Sequence, residues 1–124
     1  AAEESPRYDA PVVPGWEVAF VDAEISGHPI AEGEAVVPLL GACNHDPERF
    51  INPDSFEIER EDNVPITFSL GPHHCMGSAL ARMEVSIILE ALATKIPSMR
   101  LASENIAWRD TVVFRGPESL ELIT

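Results

Sequence analysis

The sequence predicts an α+β fold organised around one long buried helix, and three observations carry that prediction. Residues 76–96 repeat apolar side chains at helical spacing. Residues 17–25 and 107–123 are rich in Val, Ile, Phe and Trp and are interrupted by glycine-bearing turns. Residues 44–65 form a polar, proline-bearing passage that suits neither element. With 124 residues, 45% of them hydrophobic, the chain can build one core but has little material to enclose a ligand as well.

Taken in order, Glu3, Glu4, Arg7 and Tyr8 share helix faces, so residues 1–8 read as the end of a helix, in which Pro6 fits badly. Pro11 and Pro14 force an extended exit. Glu17 to Ile25 reads as a strand, and Ser26-Gly27-His28-Pro29 turns it back at Ile30 into a β-hairpin. A second extended stretch runs from Glu34 to Leu40. Between 44 and 65, Phe50, Ile51, Phe56 and Ile58 are expected to anchor an ordered meander that also holds Pro47, Pro53 and Pro65. Ile66-Thr67-Phe68 leads into a Gly/Pro/His turn and then the long helix. There Met76, Leu80, Met83 and Ile87 mark one face and Val85, Ile88, Leu89, Leu92 and Ile96 another; a helix apolar on two faces is expected to be buried. Pro97 ends it, and Ala107-Trp108, Thr111 to Phe114 and Leu120 to Ile123, around Gly116-Pro117, read as β-hairpin material.

No run of 18 apolar residues exists, which excludes a membrane-spanning helix, and no signal peptide is visible. The start at Ala1 without an initiator methionine predicts a processed or fragmentary beginning. The net charge of −13 is concentrated in residues 1–62, which hold 3 of the 8 basic and 15 of the 21 acidic side chains. An acidic chain repels phosphate backbones, so nucleic acid is not an expected partner. Cys43 and Cys75, the only cysteines, do not make a disulfide framework, and a reducing cytoplasm is the expected location.

Chemistry concentrates between Phe68 and Arg82. Cys75 lies just before the apolar helix, in a loop whose Gly and Pro residues delay helix formation. Amides and dipole at a helix N-terminus stabilise an anion, which biases Cys75 toward the thiolate, the form that ligates metals. Gly77 lacks Cβ and lets a flat ligand approach the backbone. Residue chemistry alone leaves alternatives open. These are an inert cysteine, a zinc site drawing on His28, Cys43, His45, His73 and His74, and a Cys–His hydrolytic pair.

The run Phe68-Ser69-Leu70-Gly71-Pro72-His73-His74-Cys75-Met76-Gly77 resembles the heme-binding signature of the cytochrome P-450 family, and its continuation Ser78 to Glu84 is similar to the helix that follows in bacterial members. Glu4-Ser5-Pro6-Arg7 resembles the family's Glu-x-x-Arg motif. Asn44 to Phe50, Asn52-Pro53-Asp54, Phe56 and Arg60 resemble its meander. The resemblance implies that Cys75 is the axial thiolate ligand of heme b iron, that Phe68, Gly71 and Gly77 shape its loop, and that His73 meets a heme propionate. It implies a structural ion network of Glu4, Arg7 and Arg60. It also implies a heme-thiolate monooxygenase that acts on a small organic substrate and takes electrons from a ferredoxin or similar partner, toward which Arg82 is a candidate contact; a monomer is expected.

The chain also departs from the family's pattern. Glu17 stands where bacterial members usually place an arginine against a propionate, and an acid there would repel that group. Pro65 replaces a frequent histidine, Ser69 a usual glycine, His45 a usual arginine and Pro6 an expected leucine. The helix that carries the family's acid–alcohol pair, and most of the substrate pocket, have no counterpart here. Residues 1–124 are therefore expected to be the carboxyl-terminal portion of a single, incomplete domain, with no catalytic residue beyond the heme ligand and marginal stability in isolation. The alternatives are a truncated, non-catalytic heme-binding remnant and an acidic protein-interaction module without heme.

Overall fold

The computed structural model describes residues 1–124. The chain opens with helix α1, Glu4–Tyr8, whose first turn contains Pro6. Proline is tolerated there because first-turn amides lack intrahelical acceptors anyway. The chain then runs extended, with Val12 bridging Phe114 and Pro14 bridging Leu39.

The expected strand from Glu17 to Ile25 divides in two. Strand β1, Glu17–Val18, pairs antiparallel with β4, Ala35–Val36, while β2, Ala23–Ile25, pairs with β3, His28–Ile30, so that one hairpin is nested inside another ladder. Ile25 faces His28 across a two-residue turn in which Ser26 and Gly27 both have positive φ, 51° and 82°. That left-handed geometry matches the twist of the flanking strands. The second extended stretch ends before Leu40, which begins a short helix, α2, Leu40–Cys43. Leu40 is buried, and Gly41 lies close to Val13, where an added Cβ would sit 3.7 Å from Val13 Cγ1.

The meander is irregular, as its prolines predict, but only Phe50 anchors it; Ile51, Phe56 and Ile58 are exposed. A 3-10 turn, Gly71–His73, precedes the long helix α3, Ser78–Lys95, and Ile96 closes that helix by donating to the Leu92 carbonyl at 2.9 Å, just before Pro97. Near the C-terminus, β5, Arg100–Leu101, pairs with β6, Leu122–Ile123. Between them the expected hairpin closes more loosely: Arg109 donates to Gly116 and Glu118 to Ala107, while Phe114 joins Val12 instead of a hairpin partner.

The expectation of a buried long helix is corrected. Ser78 is its only buried residue, and Leu80, Met83, Ile87 and Ile88 are each more than half exposed. Val85, Leu89, Leu92 and Ile96 are half-buried, so loops of this chain cover part of one apolar face, while the face of Leu80, Met83 and Ile87 is open. Ten of the 124 residues are buried, and five of those are Glu4, Arg7, Asn44, Thr67 and Ser78. The interior is thus held by polar contacts at least as much as by apolar ones. No helix is long and apolar enough to cross a membrane.

Candidate functional site

Cys75 is presented by a closed turn. Its amide donates to the Phe68 carbonyl at 2.8 Å, tying together the two ends of the loop, and its own carbonyl accepts from the Ser78 amide at 3.1 Å where α3 begins. Within the loop, Ser69 and Gly71 adopt left-handed backbone, φ 58° and 59°. At Gly71 nothing lies within 4 Å of an added Cβ, so its backbone conformation and not its surroundings favours glycine. Ser69 pays a steric cost in the same region. His74, itself exposed, braces the turn, with Nδ1 3.2 Å from the Ser69 carbonyl and Nε2 2.9 Å from Ser78 Oγ. Cys75 itself is exposed.

His73, two residues earlier, places Nε2 3.4 Å from the Glu17 carboxylate of β1. Gly77 stands beside the sulfur, and a Cβ there would come within 3.8 Å of Cys75 Sγ. Leu70 and Met76 flank the cysteine as exposed apolar side chains. Arg82, one turn into α3, stacks its guanidinium 4.5 Å from the centre of the Phe68 ring and donates from Nε to Glu3 at 2.7 Å. Cys43 lies exposed at the end of α2, and no three of the histidine, cysteine and acidic side chains converge on a point.

Behind this loop lies an ion network. Glu4 and Arg7 are fully buried, and every Arg7 N–H has an acceptor: Nε and Nη2 donate to Glu4 at 2.8 Å, and Nη1 and Nη2 reach the carbonyls of Asn44, Pro53 and Ser55. Arg60 donates from Nε to both Glu4 oxygens at 3.3 Å. The Glu57 amide and Asn63 Nδ2 complete the carboxylate's shell at 2.9 Å each. Burial by itself would raise the Glu4 pKa; the hydrogen bonds from Arg7 and Glu57, the Arg7 charge and Arg60 outweigh it and bring the value down from 4.5 to about 2.

Of three residues that sequence reasoning assigned no role, Asn44 and Thr67 tie this network to the loop, and one meets it only at Glu4. Asn44 Nδ2 donates to Thr67 Oγ1 at 2.7 Å, Asn44 Oδ1 accepts from the Ile66 amide at 2.9 Å, and Thr67 Oγ1 donates to the Pro6 carbonyl at 2.6 Å. Asn63 is the third, and its Oδ1 is a buried acceptor with no partner. The adjacency of Thr67 to Phe68 was the only hint in the sequence, because the partners lie 22 to 61 residues away.

The loop thus holds an exposed cysteine at its mouth, with a buried carboxylate–guanidinium network behind it. The sequence model of the family "Cytochrome P450" matches residues 3–94. The biotin biosynthesis cytochrome P450 of Bacillus subtilis is 42% identical over 120 residues, covering 97% of this chain and 30% of that protein. The crystal structure of P450BioI in complex with hexadec-9Z-enoic acid ligated acyl carrier protein superposes with a TM-score of 0.92 at 41% identity, over 98% of this chain and 31% of that one. The heme domain of CYP116B5 from Acinetobacter radioresistens gives 0.90 at 33% identity, over 95% and 29%. The chain belongs to the cytochrome P450 family, whose cofactor is heme b. It spans about 30% of the length of the relatives it matches.

Proposed function

We propose that residues 1–124 are the carboxyl-terminal, heme-thiolate portion of a single cytochrome P450 domain, with Cys75 as the axial ligand of heme iron. The observation that carries this reading is the Cys75 turn. Its sulfur is exposed, and the turn is closed by the Cys75–Phe68 hydrogen bond. Exposed Leu70 and Met76 offer apolar contacts to a flat macrocycle, and His74, engaged at both ring nitrogens, does not compete as a ligand. Phe68, Gly71 and Gly77 shape the loop, and His73 is the partner for a propionate. Glu4, Arg7 and Arg60 hold the framework without touching the reaction.

When bound, heme supplies the oxygen and electron chemistry, which an axial thiolate favours by pushing electron density to the iron. The overall reaction is insertion of one oxygen atom of dioxygen into a small organic substrate, with two electrons and two protons converting the other to water. The chain's own residues hold the sulfur, set its backbone hydrogen bonds and present the loop. A ferredoxin or similar partner supplies electrons. The protein is proposed to act as a monomer in the cytoplasm, without nucleic-acid partners.

The test is the carbon monoxide difference spectrum of the reduced, heme-loaded protein beside Cys75→Ser. A strongly red-shifted Soret band that the serine variant loses is the expected result. A histidine-type band in the parent, or no heme uptake, overturns the reading in favour of a remnant or a heme-free interaction module.

A further inference from the structure

We infer that Arg82 is a positioning residue for Cys75, acting through the Phe68 ring and anchored by Glu3. Its contacts form one physical chain. The Glu3 carboxylate, at the entry of α1, takes a 2.7 Å hydrogen bond from Arg82 Nε. Arg82 Cζ lies over the Phe68 ring, 4.5 Å from its centre. The Phe68 carbonyl takes the 2.8 Å hydrogen bond from the Cys75 amide that closes the loop. Arg82 and Glu3 are each about one-third to two-fifths exposed, with side-chain accessibilities of 32% and 43%, so neither is a core residue whose loss would empty the interior.

The chemistry calls for arginine specifically. A guanidinium can stack its flat face on an aromatic ring while its edge N–H donates to a carboxylate; an ammonium offers a point charge without the plane. Phe68 is only partly buried and needs a lid to hold its ring in one place. Of the arginines that stack on aromatic rings here, Arg82 is the one whose ring belongs to the cysteine loop. It sits on the rigid helix that the loop feeds into, so it couples the position of Phe68 to α3 and, through Glu3, to the segment that carries Glu4 and Arg7. Arg82 can still meet an electron-transfer partner with its remaining N–H groups. Its inward role does not depend on that.

The consequence for a heme ligand rests on the reading of Cys75 given above, but the positioning itself is measurable without heme. Hydrogen exchange of the Cys75 amide, followed by NMR in the full chain, reads the closing hydrogen bond directly. Loss of a partly desolvated stacking contact predicts roughly fivefold faster Cys75 exchange in Arg82→Lys, with Ile88 and Leu89 amides in mid-α3 unchanged. Glu3→Ala, which keeps the stack and removes its anchor, is expected to speed the same amide by a smaller factor, and it decides the matter if Arg82→Lys fails to fold. Wild-type Cys75 exchange in the lysine variant, or equal acceleration along α3, overturns the inference. In heme-loaded protein the lysine variant should lose its red-shifted carbon monoxide band several-fold faster than the parent. A parent that shows no such band refutes the ligation reading alone, because the exchange result still decides what Arg82 does to Cys75.

Discussion

Replacing Glu4 by glutamine should remove the largest single electrostatic contribution to this fold. The carboxylate accepts from two nitrogens of Arg7, from Arg60, from the Glu57 amide and from Asn63, and both it and Arg7 are shielded from water. Glutamine keeps the shape but turns one acceptor into a donor facing donors, and it leaves the Arg7 cation buried without a counter-charge. Breaking a buried pair from one side costs about 3–5 kcal/mol. The depressed Glu4 pKa gives a second route to the magnitude: a fall from 4.5 to about 2 on folding corresponds to about 3 kcal/mol. Because the folded value is the lower one, this stabilisation is complete above pH 4.5 and disappears as pH falls from 4.5 toward 2. Urea titrations followed by far-UV circular dichroism at neutral pH and at intervals down to pH 2 measure both effects. The variant's midpoint at neutral pH should fall by roughly 2 M, or the variant should be unfolded without urea. Where it folds, it should lack the Glu4 share of the acid-dependent loss. Asp62, whose pKa the exposed Arg49 contact lowers, titrates alike in both proteins and cancels in the comparison. A Glu4→Gln protein within 1 kcal/mol of its parent, or with the same acid dependence, would refute the reasoning.

Phe50→Ala removes a side chain that is 3% exposed and lies 5.4 Å and 5.0 Å from the guanidiniums of Arg7 and Arg49; a loss of about 3 kcal/mol in the same urea assay is expected, and under 1 kcal/mol would contradict its role as the meander's anchor. Gly71→Ala meets no atom within 4 Å, so only its φ of 59° should matter, with a cost of about 1 kcal/mol; an alanine variant as stable as the parent would show that the loop relaxes freely. Glu17→Arg replaces an acid that now sits 3.4 Å from His73 with a cation suited to a propionate, and heme transfer to apomyoglobin should slow by about tenfold; unchanged or faster transfer counts against that placement of the propionate.

Much of the site was legible because it is local. The Phe68–Gly77 spacing, the glycine at 71 and the cysteine just ahead of an apolar helix are neighbours in the chain, and the hydrogen bonds within the loop span at most seven positions. The α3 boundaries followed from periodicity and Pro97 to within two residues at each end. The α2 turn was missed because Leu40, Gly41 and Ala42 carry no helix-start signal and the preceding valines read as strand. The strand at 17–25 was drawn too long because its two halves pair with different partners, and apolar content does not say which.

The sequence by itself determined the family and the order of its motifs, since each depends on residue type at short spacing. Tertiary structure alone decided that Arg7 spends three of its donors on carbonyls 37 to 48 residues away, that Glu17 meets His73, and that Arg82 caps Phe68. It also decided that one apolar face of α3, with Leu80, Met83 and Ile87, is open, while Val85, Leu89 and Leu92 on the other are half-buried. Periodicity shows that a helix has apolar faces, but burial requires another segment to lie against them, and such contacts between distant segments leave no local trace in the sequence.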